Sequence, residues 1–117
     1  MRALYNISYG IYILSAKDKK HNACVINTLI QVTSNPERVS ITVNKDNYTT
    51  KMIEKTGVFN VSILDQTTSF DLIKRFGFAS GKNVDKFDGF KNFKIAKNGV
   101  SYITESTNSY ISAKVID

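Results

Sequence analysis

Small polar side chains interrupt an otherwise apolar stretch of the sequence at residues 23–34. Burying an amide or a hydroxyl group is unfavourable unless that group finds a hydrogen-bond partner. We therefore expect something polar to meet this stretch at the residues that interrupt it. These residues are Asn27, Thr28, Gln31, Thr33 and Ser34.

A second group of polar residues lies in the segment Asn44-Lys45-Asp46-Asn47-Tyr48-Thr49, at the start of a predicted helix. A lysine ammonium, amide and hydroxyl donors and a helix N-terminus together suit a phosphate dianion. The alternative is a capped turn with a solvated lysine, and the residue types alone favour the two interpretations equally. The segment is a candidate phosphate site.

Side chains that would carry catalysis themselves are scarce. His21 is the single histidine, lies in a charged turn and has no nucleophile at a characteristic spacing, so we interpret it as a solvated turn residue. Cys24 has no neighbouring motif and is interpreted as a structural thiol. We predict no catalytic side chain and no metal site. Redox chemistry would therefore come from a bound organic cofactor, although the two common phosphate-binding glycine motifs are missing.

Composition limits the class of protein. The chain has 117 residues and a net charge of +6, which predicts one domain over residues 1–117 and favours an anionic partner. Nucleic acid, a phosphorylated small molecule and an acidic protein all qualify, and an AT-rich genome would also account for part of the lysine content. No stretch approaches the roughly 18 apolar residues of a membrane span, and the first residues do not resemble a secretory signal. We expect a cytoplasmic protein with no membrane partner.

The first half of the chain predicts strands followed by a helix. Residues 11–14 and 23–34 have strand-like patterns, and the charged residues 17–20 between them predict a hairpin connection. Asn47 or Thr49 can cap a short helix that runs through Glu54, with Gly57 at its C-terminal end. One buried strand face is expected from the alternating residues Val39, Ile41 and Val43.

The second half predicts a further helix among short strands. Phe59, Val61 and Ile63 share one strand face. Thr68 or Ser69 can cap a helix whose aromatic stripe, Phe70, Ile73 and Phe76, is expected to face the core rather than a cofactor. Residues 79–92 predict a long loop, which is uncommon in a compact domain unless it binds something.

Further strands are predicted at residues 93–96, 100–103 and 110–116. In total, about six or seven short strands and two inserted helices favour a mainly β barrel of α+β type over a parallel α/β sheet. The last predicted strand reaches the end of the sequence, so its outer edge would lack a partner within the chain. An unpaired edge of this kind favours dimerisation.

Several blocks of the sequence, taken in order, carry a family resemblance. They are residues 7–13 (ISYGIYI), 22–28 (NACVINT), 31–34 (QVTS), 43–49 (VNKDNYT), 57–59 (GVF) and 80–87 (SGKNVDKF). Together they resemble the flavin reductase-like family, and more narrowly the flavin domain of flavoredoxins and high-molecular-weight rubredoxins. The chain departs from that family at Asn35-Pro36-Glu37, where two prolines are common, and at its end, where related chains continue with further strands.

The resemblance implies an FMN-binding split β-barrel that lacks its C-terminal strands here and that forms a homodimer with flavin near the subunit interface. It implies that Asn27, Thr28 and Leu29 border the isoalloxazine, while Gln31 and Thr33 face the ribityl chain or the phosphate. It further implies that Asn44, Lys45 and Thr49 hold the phosphate. The loop that contains Ser80, Lys86 and Phe87 would lie along the flavin.

The activity that the resemblance implies is a reductase in which NAD(P)H passes hydride to FMN and the cofactor carries the chemistry. A redox protein is a possible acceptor. The first alternative is a non-catalytic FMN-binding or electron-carrier module that has lost nicotinamide binding. The second is a basic barrel that binds single-stranded nucleic acid, which is disfavoured because most phenylalanines occupy core-like positions. We therefore expect no nucleic-acid partner.

Overall fold

The computed structural model describes residues 11–34, 37–65, 68–77, 84–105 and 107–116. The side chains of 32–34, 37 and 108 are outside this description. In chain order the elements are β1 (Tyr12–Lys17), β2 (His21–Ile26), β3 (Leu29–Ser34), β4 (Glu37–Ile41), α1 (Tyr48–Thr56), β5 (Val58–Leu64), α2 (Phe70–Gly77), β6 (Phe93–Ile95), β7 (Ser101–Ile103) and β8 (Thr107–Lys114).

A central antiparallel sheet has the strand order β2-β1-β5-β8. Its register aligns Cys24 with Leu14, Leu14 with Val61 and Val61 with Ile111. Two hairpins, β3–β4 and β6–β7, form separate two-stranded sheets. The fold is therefore mainly β with two helices, as the sequence predicts.

Both faces of the central sheet are covered. On one face, Leu14, Cys24 and Val61 pack with Met52 and Ile53 of α1. The opposite face forms a second apolar cluster, whose buried members are Ile13, Ala23, Leu64, Leu72, Phe76 and Ile103. The sheet is thus a middle layer between α1 and the α2 side of the molecule, which explains why β1 and β5 are buried along almost their whole length.

Helix α1 has the caps that the sequence predicts. The Asn47 side chain accepts a hydrogen bond from the Thr49 N–H at 2.8 Å. Gly57 ends the helix with a φ of 79°, and its N–H donates to the Ile53 carbonyl at 2.8 Å. A left-handed conformation is readily adopted by glycine, so this position defines the end of the helix.

Helix α2 buries a different stripe from the predicted one. The Ser69 hydroxyl accepts from the Leu72 N–H at 3.2 Å, so Ser69 is the cap. Leu72 and Phe76 are buried, but Phe70 is 63% exposed. Six residues of helix place Phe70 about 120° around the axis from Phe76. The prediction that Phe70 faces the core is therefore wrong, and the buried pair has the spacing i, i+4.

The stretch at residues 23–34 is two strands rather than one. Strand β2 ends at Ile26 and β3 begins at Leu29, so Asn27 and Thr28 form a corner between different sheets. The register of β3 against β4 also shifts between Gln31 and Thr33. The polar interruption in the sequence thus marks the point at which the chain leaves the central sheet.

The remaining elements follow the predicted pattern with shifted ends. Residues 18–20 connect the hairpin in which Lys17 pairs with His21. Residues 84–92 lack helix and strand, as predicted for this part of the long loop, and residues 79–83 lie outside the described chain. The short β6–β7 hairpin is held on β5 by Asn60, whose amide donates to the Val100 and Ser101 carbonyls at 3.0 and 3.1 Å. Within the described ranges, no helix is long and apolar enough to cross a membrane.

Candidate functional site

Strand β2 separates two groups of candidate residues, because alternate side chains of a strand point to opposite faces. Asn22 and Cys24 point toward α1, where the Asn22 amide donates to the Thr49 hydroxyl at 2.8 Å. Ala23 points toward α2 and packs with Leu72 and Phe76. The start of α1 and the residues that follow α2 therefore flank the same strand.

The turn before α1 is held by its own amides. The Asn44 carbonyl accepts from the Asn47 N–H at 3.0 Å, and the Asn44 side chain accepts from the Asp46 N–H at 2.8 Å. Lys45 is exposed beside this turn. A structured turn that leaves its lysine in solvent keeps that ammonium accessible to an anion.

Lys20 is a residue near this turn that the sequence did not indicate. Its ammonium donates to the Val84 carbonyl at 3.4 Å and lies 5.8 Å from the centre of the ring of Tyr48, the first residue of α1. Hairpin residues 17–20 were predicted only as a connection, and the only sequence signal was their charge. The folded chain therefore brings a hairpin lysine to the helix N-terminus at which Lys45 also lies.

Behind the turn, the polar groups are buried. Thr49 is fully buried, and its hydroxyl is already engaged by Asn22. Burial raises the pKa of the Cys24 thiol, against the opposing effects of hydrogen bonding to Thr49, the positive charge of Lys86 and hydrogen bonding to Asn47. The Thr49 side chain thus supports β2 from inside, and its predicted contact with a phosphate stays a prediction.

The predicted isoalloxazine residues lie at the corner after β2. Asn27 is exposed, and its side-chain oxygen accepts from the Thr28 hydroxyl at 3.2 Å. Leu29 is only 3% exposed and belongs to the core on the α1 face. Asn27 follows Cys24 by three residues, a span of about 10 Å in extended chain.

The two other predicted residues of this stretch lie along β3. Gln31 is exposed and opposite Val39 in the register with β4. Thr33 is opposite Arg38, beyond the register shift, and its side chain is outside the description. The β3 residues therefore continue away from the corner on the hairpin rather than on the central sheet.

Lys86 is buried on the other side of β2, with 5% of its surface exposed. Its ammonium donates to the Ala23 carbonyl at 3.0 Å and to the Phe76 carbonyl at 2.8 Å. Burial lowers the pKa of this ammonium, and the negative charge of an ionised Cys24 opposes that effect. The charge of Lys86 is thus directed at the backbone of β2 and of α2, and its predicted contact with flavin stays a prediction.

Phe87 packs inward beside Lys86. Its ring centre lies 5.3 Å from that of Phe76 and 4.9 Å from that of Phe93. The Phe87 ring thus faces other aromatic rings of the protein, and its predicted contact with flavin stays a prediction. The same holds for Ser80, which lies outside the described residues.

His21 is not the solvated residue that the sequence predicts. It is half-buried, and its ring lies 5.9 Å from Phe87 and 6.2 Å from Phe93, centre to centre. Burial and the charge of Lys17 lower the pKa of this imidazole, while Asp85 opposes them. The residue packs against the aromatic segment because β2 places it on the same face as Ala23.

Arg75, near the end of α2, is a second residue that the sequence did not indicate. Its guanidinium donates to the Lys86 carbonyl at 2.8 Å and to the Asp88 carbonyl at 3.1 Å, and lies 5.2 Å from the centre of the Phe90 ring. The only sequence signal was a basic residue in the last turn of a helix, which is a common feature. Within the part of the chain that the structure describes, no cluster of three histidine, cysteine or acidic side chains could hold a metal ion.

Two relatives are similar to this chain over nearly its whole length. The high molecular weight rubredoxin of Moorella thermoacetica is 36% identical over 115 residues, which are 97% of this chain and 50% of that protein. The ferric-chelate reductase (NAD(P)H) of Archaeoglobus fulgidus is 37% identical over 117 residues, which are 99% of this chain and 69% of that protein. The chain thus spans half of one relative and about two thirds of the other.

Solved structures share the fold. The flavoredoxin of Methanosarcina acetivorans has a TM-score of 0.81 at 24% identity, over 92% of this chain and 57% of that one. An FMN-binding domain of a flavin reductases-like enzyme from Shewanella baltica has a TM-score of 0.82 at 19% identity, over 99% of this chain and 62% of that one.

A family model described as "Flavin reductase like domain" matches residues 4–117. This match and the two relatives above 30% identity confirm the resemblance that the sequence blocks carry. The chain belongs to the flavin reductase-like domain family.

Proposed function

We propose that this chain binds FMN and acts as the flavin module of a reductase that passes hydride or electrons from NAD(P)H to an acceptor. The observation that carries the proposal is the start of α1 beside β2, where the exposed Lys45 and the ammonium of Lys20 accompany a helix N-terminus. The relative named as an NAD(P)H-dependent ferric-chelate reductase supports the reaction class.

The residues around the first turn of α1 match the chemistry of a phosphate. Lys45 supplies an accessible positive charge, and the Asn44 and Asn47 side chains hold the turn in shape. An exposed ammonium beside the N-terminus of a helix is a donor set that fits the phosphate of FMN.

The corner after β2 matches the polar edge of a flavin. Asn27 and Thr28 carry an amide and a hydroxyl, which can both donate and accept, as the imide and carbonyl groups of isoalloxazine require. The extended chain from Cys24, beside α1, to Asn27 spans about 10 Å. An FMN with its phosphate at the start of α1 would thus extend along β2 and place its ring at the corner. Leu29, Gln31 and Thr33 follow that corner on β3.

When bound, FMN would supply the hydride-accepting ring atom, so no side chain of this protein need act as acid or base. Lys45 would bind the phosphate, and Asn27 and Thr28 would orient the ring. The net charge of +6 would favour the approach of NAD(P)H, which is a polyanion. We further propose a homodimer, a redox protein as a possible acceptor and a single domain over residues 1–117.

The first experiment measures flavin uptake. Apoprotein is titrated with FMN, and we expect saturable quenching of flavin fluorescence and a shifted visible absorption band. Addition of NADH under anaerobic conditions should then bleach that band. Absence of FMN uptake would reject the proposal, whereas uptake without bleaching by NADH or NADPH would favour the alternative of an FMN-binding electron carrier.

Lys45→Ala tests the phosphate end. Loss of one charge-assisted hydrogen bond of about 1.5 to 3 kcal/mol should weaken FMN affinity by about tenfold or more. Riboflavin, which lacks the phosphate, should bind the variant and the original protein equally. Lys97→Ala is the matched control, because Lys97 is also exposed but lies in the turn between β6 and β7. Unchanged FMN affinity in Lys45→Ala would reject the assigned phosphate contact.

A further inference from the structure

Two cationic side chains link α2 and residues 84–90 in both directions. Lys86, from the segment, donates to the Phe76 carbonyl of α2 at 2.8 Å and to the Ala23 carbonyl of β2 at 3.0 Å. Arg75, from the helix, donates to the Lys86 and Asp88 carbonyls of the segment at 2.8 and 3.1 Å. All four acceptors are main-chain oxygens, so the two charges fix backbone positions. We call this arrangement the Arg75–Lys86 clasp.

One acceptor of Lys86 is a group that the regular structure leaves without a partner. The last carbonyls of a helix have no partner within the helix and carry a partial negative charge, and the Phe76 carbonyl is one of these. Ala23 lies in β2, which is the outer strand of the central sheet as the described residues form it. The buried Lys86 ammonium thus donates to a carbonyl at the end of α2 and to a carbonyl of β2 at the same time.

Ring contacts stiffen the same segment. The Phe76 ring, fully buried, makes edge contacts with Phe87 and Phe90 at centre distances of 5.3 and 5.2 Å. The Arg75 guanidinium lies over the Phe90 ring. Backbone hydrogen bonds from Asp88 to Asp85 and from Phe90 to Phe87 close two tight turns. Residues 84–90 are therefore anchored through both their main chain and their side chains.

The anchored segment flanks β2 on the side opposite to α1. Lys86 contacts Ala23, and Thr49 of α1 contacts Asn22, one residue earlier on the strand. The strand then runs directly to the corner at Asn27. The segment and the start of α1 are thus two walls on either side of the strand that leads to the proposed flavin ring.

From this placement we propose that Arg75 and Lys86 are positioning residues for FMN: the clasp holds residues 84–90 as a water-excluding wall of the flavin site. The inference rests on the proposed function, adds Arg75 to the residues of the site and gives Lys86 a role that does not require contact with the ligand. Their charges are directed at the backbone, so they would act through the position of the wall rather than through a contact.

The test uses Arg75→Met and Arg75→Lys, with Lys74→Met as the matched control. Lys74 is the adjacent exposed cation on the same helix turn, and no contact of it with the segment is described. Arg75→Met removes both donated hydrogen bonds and retains an apolar stem, whereas Arg75→Lys retains the charge but not the two-pronged donor. Hydrogen exchange of residues 84–90 is measured in the apoprotein, so this part of the test does not depend on flavin.

We expect Arg75→Met to speed exchange in residues 84–90, to weaken FMN affinity by about tenfold and to raise iodide quenching of the bound flavin. Arg75→Lys should recover part of all three properties, and Lys74→Met should leave them unchanged. Faster exchange with unchanged FMN affinity and quenching would overturn the inference but leave the proposed function in place. Unchanged exchange would overturn the clasp itself. Failure of the unsubstituted protein to bind FMN would instead reject the proposed function.

Discussion

The two outer strands of the central sheet differ in what covers them. Beside β2, two buried polar groups have partners from distant elements, as in the bonds from Asn22 to Thr49 and from Lys86 to Ala23, whereas the Asn22 side-chain oxygen and His21 Nδ1 have none among the described residues. Beside β8, an open groove of about 930 Å³ separates that strand from β4. Its apolar lining comes from both walls and from the core between them, and includes Val39, Ile41, Ile53, Phe59, Ile111 and Ala113.

This difference separates two kinds of sheet edge. At β2, the Asn22 amide and the Lys86 ammonium are held by buried hydrogen bonds, so they fix the strand beside the exposed polar residues Lys45 and Asn27. At β8, the exposed residues Tyr110, Ser112 and Lys114 alternate with half-buried apolar ones. The chemistry suited to a phosphate and a polar ring is therefore concentrated at β2, and substitutions at the two edges should have different consequences.

The largest expected difference is between Lys86→Met and Lys114→Met. Loss of the Lys86 ammonium leaves the Ala23 and Phe76 carbonyls without their donor, which should lower the free energy of unfolding by about 2 to 4 kcal/mol. Lys114 is exposed at the β8 edge, and its substitution should change the same quantity by less than about 0.5 kcal/mol. Urea unfolding followed by circular dichroism measures both values.

Lys91→Met provides the control for the Lys86 measurement, because Lys91 is exposed and follows the same segment. It should behave like Lys114→Met. If Lys86→Met and the two exposed substitutions had equal effects, the buried ammonium would contribute no stability and the contrast between the two edges would not hold.

Local features of the site were predictable because their signals lie within a few residues. The Asn47 and Gly57 caps of α1 depend on hydrogen bonds to neighbours two to four positions away, and such patterns are visible in sequence. The same is true of the exposed Lys45 in a polar turn. The family blocks added the order in which these local features occur.

The contacts that assemble the site were not predictable in this way. Asn22 and Thr49 are 27 positions apart, and Lys86 and Ala23 are 63 positions apart. These pairs meet only because the sheet order is β2-β1-β5-β8, which no local period encodes. For the same reason the sequence did not indicate that Lys86, assigned to a loop along the flavin, and His21, assigned to a solvated turn, pack against elements far along the chain.

Acid should destabilise the β2 side through His21, the chain's single histidine. Burial lowers the pKa of this imidazole in the folded protein. Below its ordinary pKa of about 6.5, the unfolded state therefore binds more protons than the folded state, so stability falls as the pH falls. His21→Phe retains a ring between Phe87 and Phe93 but cannot titrate, so it should lose less stability on acidification.

The measurement is the urea midpoint of both proteins at about pH 7.5 and about pH 5.5. Carboxylates titrate in both proteins, so the difference between them isolates the imidazole. An equal acid-induced loss in His21→Phe and in the original protein would show that the imidazole binds a proton equally well in the folded and unfolded states, and would remove His21 from the buried groups of this edge.

The smallest expected effect comes from Cys24, on the α1 face of the same strand. Burial raises the pKa of this thiol, so above about pH 8.5 the unfolded state releases a proton that the folded state retains. Stability should then fall as the pH rises, whereas the lowered pKa of Lys86 acts in the opposite direction. Cys24→Ala removes the contribution of the thiol and keeps that of Lys86, whose lowered pKa an ionised thiol then no longer opposes. We expect the urea midpoint to fall less on alkalinisation in Cys24→Ala than in the original protein. We also expect Cys24 in the folded protein to resist alkylation by iodoacetamide until the protein unfolds. Rapid alkylation of the folded protein would mean that solvent reaches this face of β2 and that only the Lys86 side is closed.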